Sequence, residues 1–293
     1  MIEQVLSEIL ADRAPIGAEA DHLAHLARLL GLKTWRSSGV GHLKVGATAS
    51  RWWVAIGIDE PTLLLSGEGT DQAWGFSAYG MPKDRAQLRN CELRHQSGQM
   101  VTASGPEAED GGPLKLHPAQ PQPPVGGSWA IWPQPLEFHG SRLIGPGAGG
   151  RLLTAAVLSA LQSGRGQLGA VFVRLSRLSA ASLTEVLATP EVTRVIWLSS
   201  VGGEDSDLDS GAYQLRAPAL PGDPSLEQQM DSLPARFVQG EALPPFALDI
   251  RRAGRAEFGL GIAVTHLGGA RETADLKDGE KVSQRLAEIM AMG

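Results

Sequence analysis

Apolar residues recur at helical spacing across residues 2–30, at Val5, Ile9, Leu23, Leu26, Leu29 and Leu30. Ala14-Pro15-Ile16-Gly17 interrupts them, so the pattern predicts two helices joined by a tight link. Short strand patterns follow at 32–35 and 42–45, with Ser37-Ser38-Gly39 as the turn between them. The denser apolar runs at 53–58 and 62–65 predict strands of a central sheet. Adjacent carboxylates, Asp59 and Glu60, stand where the first of these runs ends. A buried ionised group is costly unless it is paired or solvated, so this pair marks either a site or a strand end reaching water.

From about residue 67 the texture changes. Strand-like pieces at 74–78, 91–96, 100–103 and 129–132 lie among turn residues, and 105–127, with six prolines and five glycines, reads as loop. This predicts a small all-β insert over 68–144. Beyond it the alternation of helix and strand returns, with helices at 151–161, 179–187 and 281–292 and strands at 168–175, 194–198 and 261–266. The expected fold is α/β: a mostly parallel or mixed central sheet flanked by helices, built from 1–67 and 145–293 and carrying a small barrel-like β insert.

Composition narrows the function classes. Across 293 residues, 42% are apolar, ample for a core, and the net charge of −6 comes without a basic stripe, which argues against nucleic acid or an anionic membrane as partner. No apolar run approaches the roughly 18 residues of a membrane span. One cysteine, Cys91, and a start without a charged-then-apolar leader lead us to expect a cytoplasmic protein.

Familiar chemical motifs fall short one by one. The stretch 145–150 before a helix suits a phosphate cradle, but Arg151-Leu152 follow where a nucleotide-binding loop has Lys and Ser or Thr. It reads as a strand-to-helix turn. Asp205, Asp207 and Asp209 alternate as in a calcium loop, yet the glycine comes one place late and Arg216 holds the closing position. His22 and His25 share a helix face without a third ligand nearby, Cys91 has no partner motif, and no serine elbow is present.

Taken together, the segments resemble the glutamyl (tetrahedral) aminopeptidases, a family of dizinc metallopeptidases, over nearly the whole chain. Ala14-Pro15-Ile16-Gly17 stands where the family has a small-residue turn, and Gly41-His42-Leu43 where it has a Gly-Asn before a strand. Gly57-Ile58-Asp59-Glu60 matches a strand ending His-x-Asp-Glu. Within the insert, Trp74-Gly75-Phe76 to Gly80, residues 126–138 and residues 142–151 look like three further family segments. Gly268-Gly269-Ala270-Arg271-Glu272 followed by Asp278 mirrors the closing His-Ser-Pro-x-Glu with an Asp six residues on, and this spacing fixes the register.

In that register the resemblance implies that every metal-ligand position lacks a ligand. The first histidine falls on Gly57, the bridging aspartate on Gly149 two residues before Arg151, and the glutamate pair within 174–177. The third-strand aspartate falls near Ser199 or Ser200, and the final histidine on Gly268. Zinc or cobalt needs three or four N, O or S donors, and a pair needs a bridging carboxylate. The expectation is therefore no metal and no cofactor, with Asp59 and Glu60 as remnants, Asp59 once having oriented the lost histidine. Glycine and serine replacements would leave a cleft for a peptide or small ligand, lined by Gly57, Asp59, Glu60, Gly149, Arg151, Ser199, Ser200, His266, Gly268 and Glu272. The alternative is a relocated site, one zinc or cobalt on Asp59 and His266 with Glu60 and Glu272 converging. The resemblance also implies a homo-oligomer assembled through the β insert, or a structural subunit of a mixed assembly.

Overall fold

The computed structural model describes residues 2–10, 28, 31–32, 34–36, 42–46, 51–57, 62–70, 72–79, 90–94, 100–108, 114–120, 129–131, 135–163, 169–173, 183, 187–188, 192–216, 224, 228, 233–237 and 245–291. The sheet strands before the barrel are β1 (Thr34–Arg36), β2 (His42–Gly46) and β3 (Trp52–Gly57). Next come β4 (Thr62–Thr70), β5 (Ala73–Tyr79), β6 (Asn90–Arg94), β7 (Met100–Ala108), β8 (Leu114–Pro118) and β9 (Trp129–Ile131). A hairpin, β10 (Glu137–His139) and β11 (Arg142–Ile144), leads to β12 (Gly169–Val173), β13 (Arg194–Gly202), β14 (Tyr213–Arg216), β15 (Ala235–Phe237), β16 (Ala256–Val264) and β17 (Thr273–Asp275). The described helices are α1 (Ile2–Leu10), α2 (Ala148–Ser163), α3 (Pro245–Arg252) and α4 (Leu276–Ala291).

An eight-stranded mixed sheet, ordered β1-β2-β12-β3-β13-β16-β14-β15, forms the body. Its centre, β12-β3-β13-β16, is parallel. The run Trp52-Trp53-Val54-Ala55-Ile56 is buried throughout because both sheet faces are covered there. Side chains alternate across the sheet accordingly. Val54, Ile56, Ile196 and Leu198 join one apolar cluster with α1, α2 and α4, whereas Trp53, Ala55, Val195 and Trp197 join another with Leu183, Leu187 and Ile250.

Strands β4-β5-β8-β7-β6-β9 close into a barrel, and β10-β11-β17 make a separate three-stranded sheet. Three sequence expectations change here. Residues 62–65 open the barrel in β4 instead of lying in the central sheet, because Thr62 to Leu65 pair with β5 and Leu63 and Leu64 also with β9. The 105–127 stretch is not all loop: β7 continues to Ala108, and Leu114 to Pro118 alternate buried and half-buried as β8. That period-2 burial outweighs the local proline content. Residues 137–139 pair with 142–144, and 142–144 in turn with β17, not with the barrel.

Elsewhere the elements extend past their sequence bounds. Strand β16 begins at Ala256, where glycines had hidden it. Gly259 lies opposite Trp197 in the register, and a Cβ there would collide with the indole and with the Leu215 carbonyl. Helix α4 begins at Leu276, its Lys277 N–H capped by the Asp275 carboxylate at 3.0 Å. The helix expected at 179–187 lies mostly outside the described residues, and so do the second N-terminal helix and His22 and His25.

Candidate functional site

The carboxyl ends of parallel strands, where ligands of open α/β sheets are generally met, bring several predicted residues together. Strand β13 carries Ser199 and Ser200 just before its end at Gly202, and β16 runs beside it to Val264. Residues 266–272 then form a turn closed by a two-way backbone bridge between Thr265 and Thr273 at 3.0 and 3.1 Å. Helix α2 starts at Ala148, next to this turn, because its approach is tied by a bond from Gly145 N–H to the Glu272 carbonyl at 2.9 Å.

Glu272 organises the site. Its side chain is buried, with the residue only 2% exposed. One carboxylate oxygen accepts the Gly149 N–H at 2.8 Å and the other accepts the Gly268 N–H at 2.7 Å. Gly149 lies at the N-terminal end of α2, where free N–H groups and the helix dipole favour a negative charge. One carboxylate thus joins the helix start to the turn between β16 and β17. Gly268 has φ +72°, a conformation that costs glycine little and other residues more, and this aims its N–H inward. His266 also has positive φ, +53°, and its carbonyl accepts the Gly269 N–H at 2.8 Å. The His266 residue itself is exposed.

Glycine at 149 is required by space. A Cβ there would stand 2.7 Å from Val264 Cγ1, 2.8 Å from Ser200 Cβ and 3.1 Å from Glu272 Oε1. Three neighbouring side chains thus press on the space that a Cβ at 149 would take. Ser199 is half-buried and its hydroxyl donates to the Ser200 carbonyl at 3.2 Å. Arg151 is buried in the first turn of α2, and Gly57 is half-buried at the end of β3, paired in register with Val173. Asp59, Glu60 and residues 174–177 lie outside the described residues.

The described donor set does not fit a metal pair. Among the described residues no three His, Cys, Asp or Glu side chains group closely enough to hold one ion. Both oxygens of Glu272 already accept backbone N–H groups, and no side chain fits at 149 without displacement. In the described contacts the Glu272 carboxyl accepts two main-chain N–H groups and so joins the start of α2 to the 266–272 turn. Sequence reasoning placed Glu272 at the site but missed Val264, whose side chain fills the space above Gly149. Its only signal was an unremarkable apolar strand position.

No protein-family model matches the sequence, and no curated protein does. The fold nevertheless matches solved aminopeptidases along its whole length. A TET aminopeptidase from the marine sediment archaeon Thaumarchaeota superposes with a TM-score of 0.81 at 12% identity, covering 99% of this chain and 96% of that one. An aminopeptidase from the archaeon Desulfurococcus kamchatkensis gives 0.79 at 15%, covering 99% and 94%. The Pyrococcus horikoshii TET1 peptidase, which can assemble into a tetrahedron or a large octahedral shell, gives 0.78 at 13%, covering 99% of both chains. At these identities the shared property is the fold.

Proposed function

We propose that this chain is a non-catalytic protein on an aminopeptidase fold, serving in assembly or in binding a peptide or small molecule. The observation that carries the reading is the packing around Gly149. In the register of the resemblance this is the bridging-carboxylate position, and Val264, Ser200 and Glu272 leave no room for a side chain there. The final-histidine position, Gly268, likewise offers only its N–H, already given to Glu272. A hydrolase of this type needs a metal to acidify water and a carboxylate base to move the proton, the latter worth ~10²–10⁴ in rate. Both are missing from the proposed scheme.

Because the Gly149 end of the site is filled, the proposal places any ligand toward the Gly57 side. It also includes self-association through the barrel, a suggestion supported by the shells that the Pyrococcus horikoshii peptidase forms. The test is hydrolysis of a panel of aminoacyl-nitroanilides by the purified chain, with and without added zinc or cobalt. We expect no rate above a heat-killed control. Metal-dependent turnover would favour the competing proposal of one relocated ion on Asp59 and His266.

A further inference from the structure

The hairpin that precedes α2 leaves a sheet edge without a neighbour among the described residues. Strand β10 is an outer strand of the sheet β10-β11-β17, and Glu137, Phe138 and His139 are all exposed. Gly140-Ser141 alone join β10 to β11, since His139 and Arg142 are direct partners in the register. Gly140 has φ +65°, as the first central residue of a two-residue hairpin turn requires. Residues flanking such a turn exchange main-chain bonds with each other, and successive residues of a strand turn their N–H and C=O groups to opposite sides. His139 therefore bonds inward to Arg142, and the N–H and C=O of Phe138 point off the free edge. Among the described residues nothing pairs with them.

The side chains on this edge are self-complementary. Phe138 lies opposite Leu143, and Leu143 opposite Ala274, so the three share one face. Ala274 and Leu143 are 0% exposed and belong to the larger apolar cluster, whereas Phe138 is 39% exposed. The apolar row thus runs out of the core and stops at the edge. Glu137 and His139 flank Phe138 on the other face, with the imidazole Nε2 3.4 Å from the Glu137 carboxylate and both side chains more than half exposed.

We propose that β10 is an interface with a second copy of this chain, pairing antiparallel and edge to edge about a two-fold axis at Phe138. In this register the two Phe138 residues exchange both main-chain bonds, and each Glu137 stands opposite His139 of the other copy. The Phe138 rings continue the row from Ala274 and Leu143 across the axis, so the two three-stranded sheets become one. The charge pattern selects the register. Sliding by two residues sets Glu137 against Glu137 or His139 against His139, and sliding by one matches outward main-chain groups with inward ones. An edge this short makes a contact of the weak, transient class. The inference goes beyond the association through the barrel proposed above, because β10 lies outside the barrel.

Sedimentation velocity of the full chain, from micromolar to submillimolar concentration, tests this with three edge variants. Glu137→Lys makes the edge wholly basic, and His139→Glu makes it wholly acidic. Each alone should associate about tenfold or more weakly than wild type, because both symmetric pairs lose their attraction. An equimolar mixture of the two should recover association, since each basic edge then meets an acidic one. Phe138→Pro, which removes an outward N–H and no internal bond, should abolish the edge contact. A wild-type chain that stays monomeric throughout, association that survives all three substitutions, or loss without recovery in the mixture overturns the proposal. Association carried by the barrel alone gives the second of these results and leaves the proposed function standing. Edge pairing accompanied by peptidase turnover would defeat the non-catalytic reading and leave this inference intact.

Discussion

Replacing Glu272 by alanine is the sharpest perturbation of the site. The side chain accepts two backbone N–H groups at 2.8 and 2.7 Å, and truncation to alanine removes both acceptors. A hydrogen bond to a charged group contributes about 1.5–3 kcal/mol, so two contribute about 3–6 kcal/mol. Relief of the buried charge offsets part of this, and the cavity left behind adds to it, which brings the expected loss to about 3–5 kcal/mol. Glu272→Gln should fall between wild type and alanine, since its carbonyl serves one N–H while its amide opposes the other. The assay is urea unfolding, with the slope held common to all variants so that midpoint shifts report stability. A loss below about 0.5 kcal/mol for Glu272→Ala, the size of an ordinary surface substitution, would refute the stapling role.

Three further outcomes follow from the same contacts. Gly149→Ala should destabilise the chain by about 1–3 kcal/mol through overpacking against Val264 and Ser200, seen in the same unfolding assay. Gly259→Val should lose a similar amount, about 1–3 kcal/mol, and change the near-ultraviolet dichroism of Trp197, whose indole covers that glycine. Arg236 and then the Glu204 N–H hold the Asp207 carboxyl below its usual range. Stability from this pair is present above about pH 4 and is lost as pH falls through the lowered value, so Asp207→Asn should flatten the acid limb. Both side chains are about a quarter exposed, which limits the effect to about 1 kcal/mol at neutral pH.

The sequence made the α/β body legible where burial is two-sided. Continuous apolar runs such as Trp53 to Ile56 and Val195 to Leu198 announce central parallel strands, because nothing polar is tolerated on either face. Helix α2 was readable from 151 onward but begins at Ala148, since glycines in its first turn conceal helical backbone. Strand β16 was cut short for a related reason. Gly259 and Gly261 look like breakers in the sequence, yet they are small because Trp197 and Leu215 lie over them. Strands β14 and β17 escaped notice: each is four residues or fewer, too short for a period to declare itself.

Of the candidate site, the Glu272 position and its spacing to Asp278 were visible, but their tasks were not. A carboxylate that coordinates a metal and one that accepts two N–H groups are the same letter in a sequence. Only the geometry separates them, here through donors from Gly149 and Gly268 that are 123 and 4 residues away. Likewise, glycine at 149 suggested an opening, although the missing Cβ is compensated by Val264 and Ser200 pressing into the space. Loss of a side chain does not imply a void, because interiors repack to high density.

Metal content is the most direct test of the central proposal. The chain should be purified without chelators, offered zinc and cobalt, freed of excess metal and read by plasma emission spectrometry. We predict a stoichiometry near zero per chain for both ions. One or two tightly bound ions per chain would contradict the account and turn attention to Asp59 and His266 as ligands of an active peptidase.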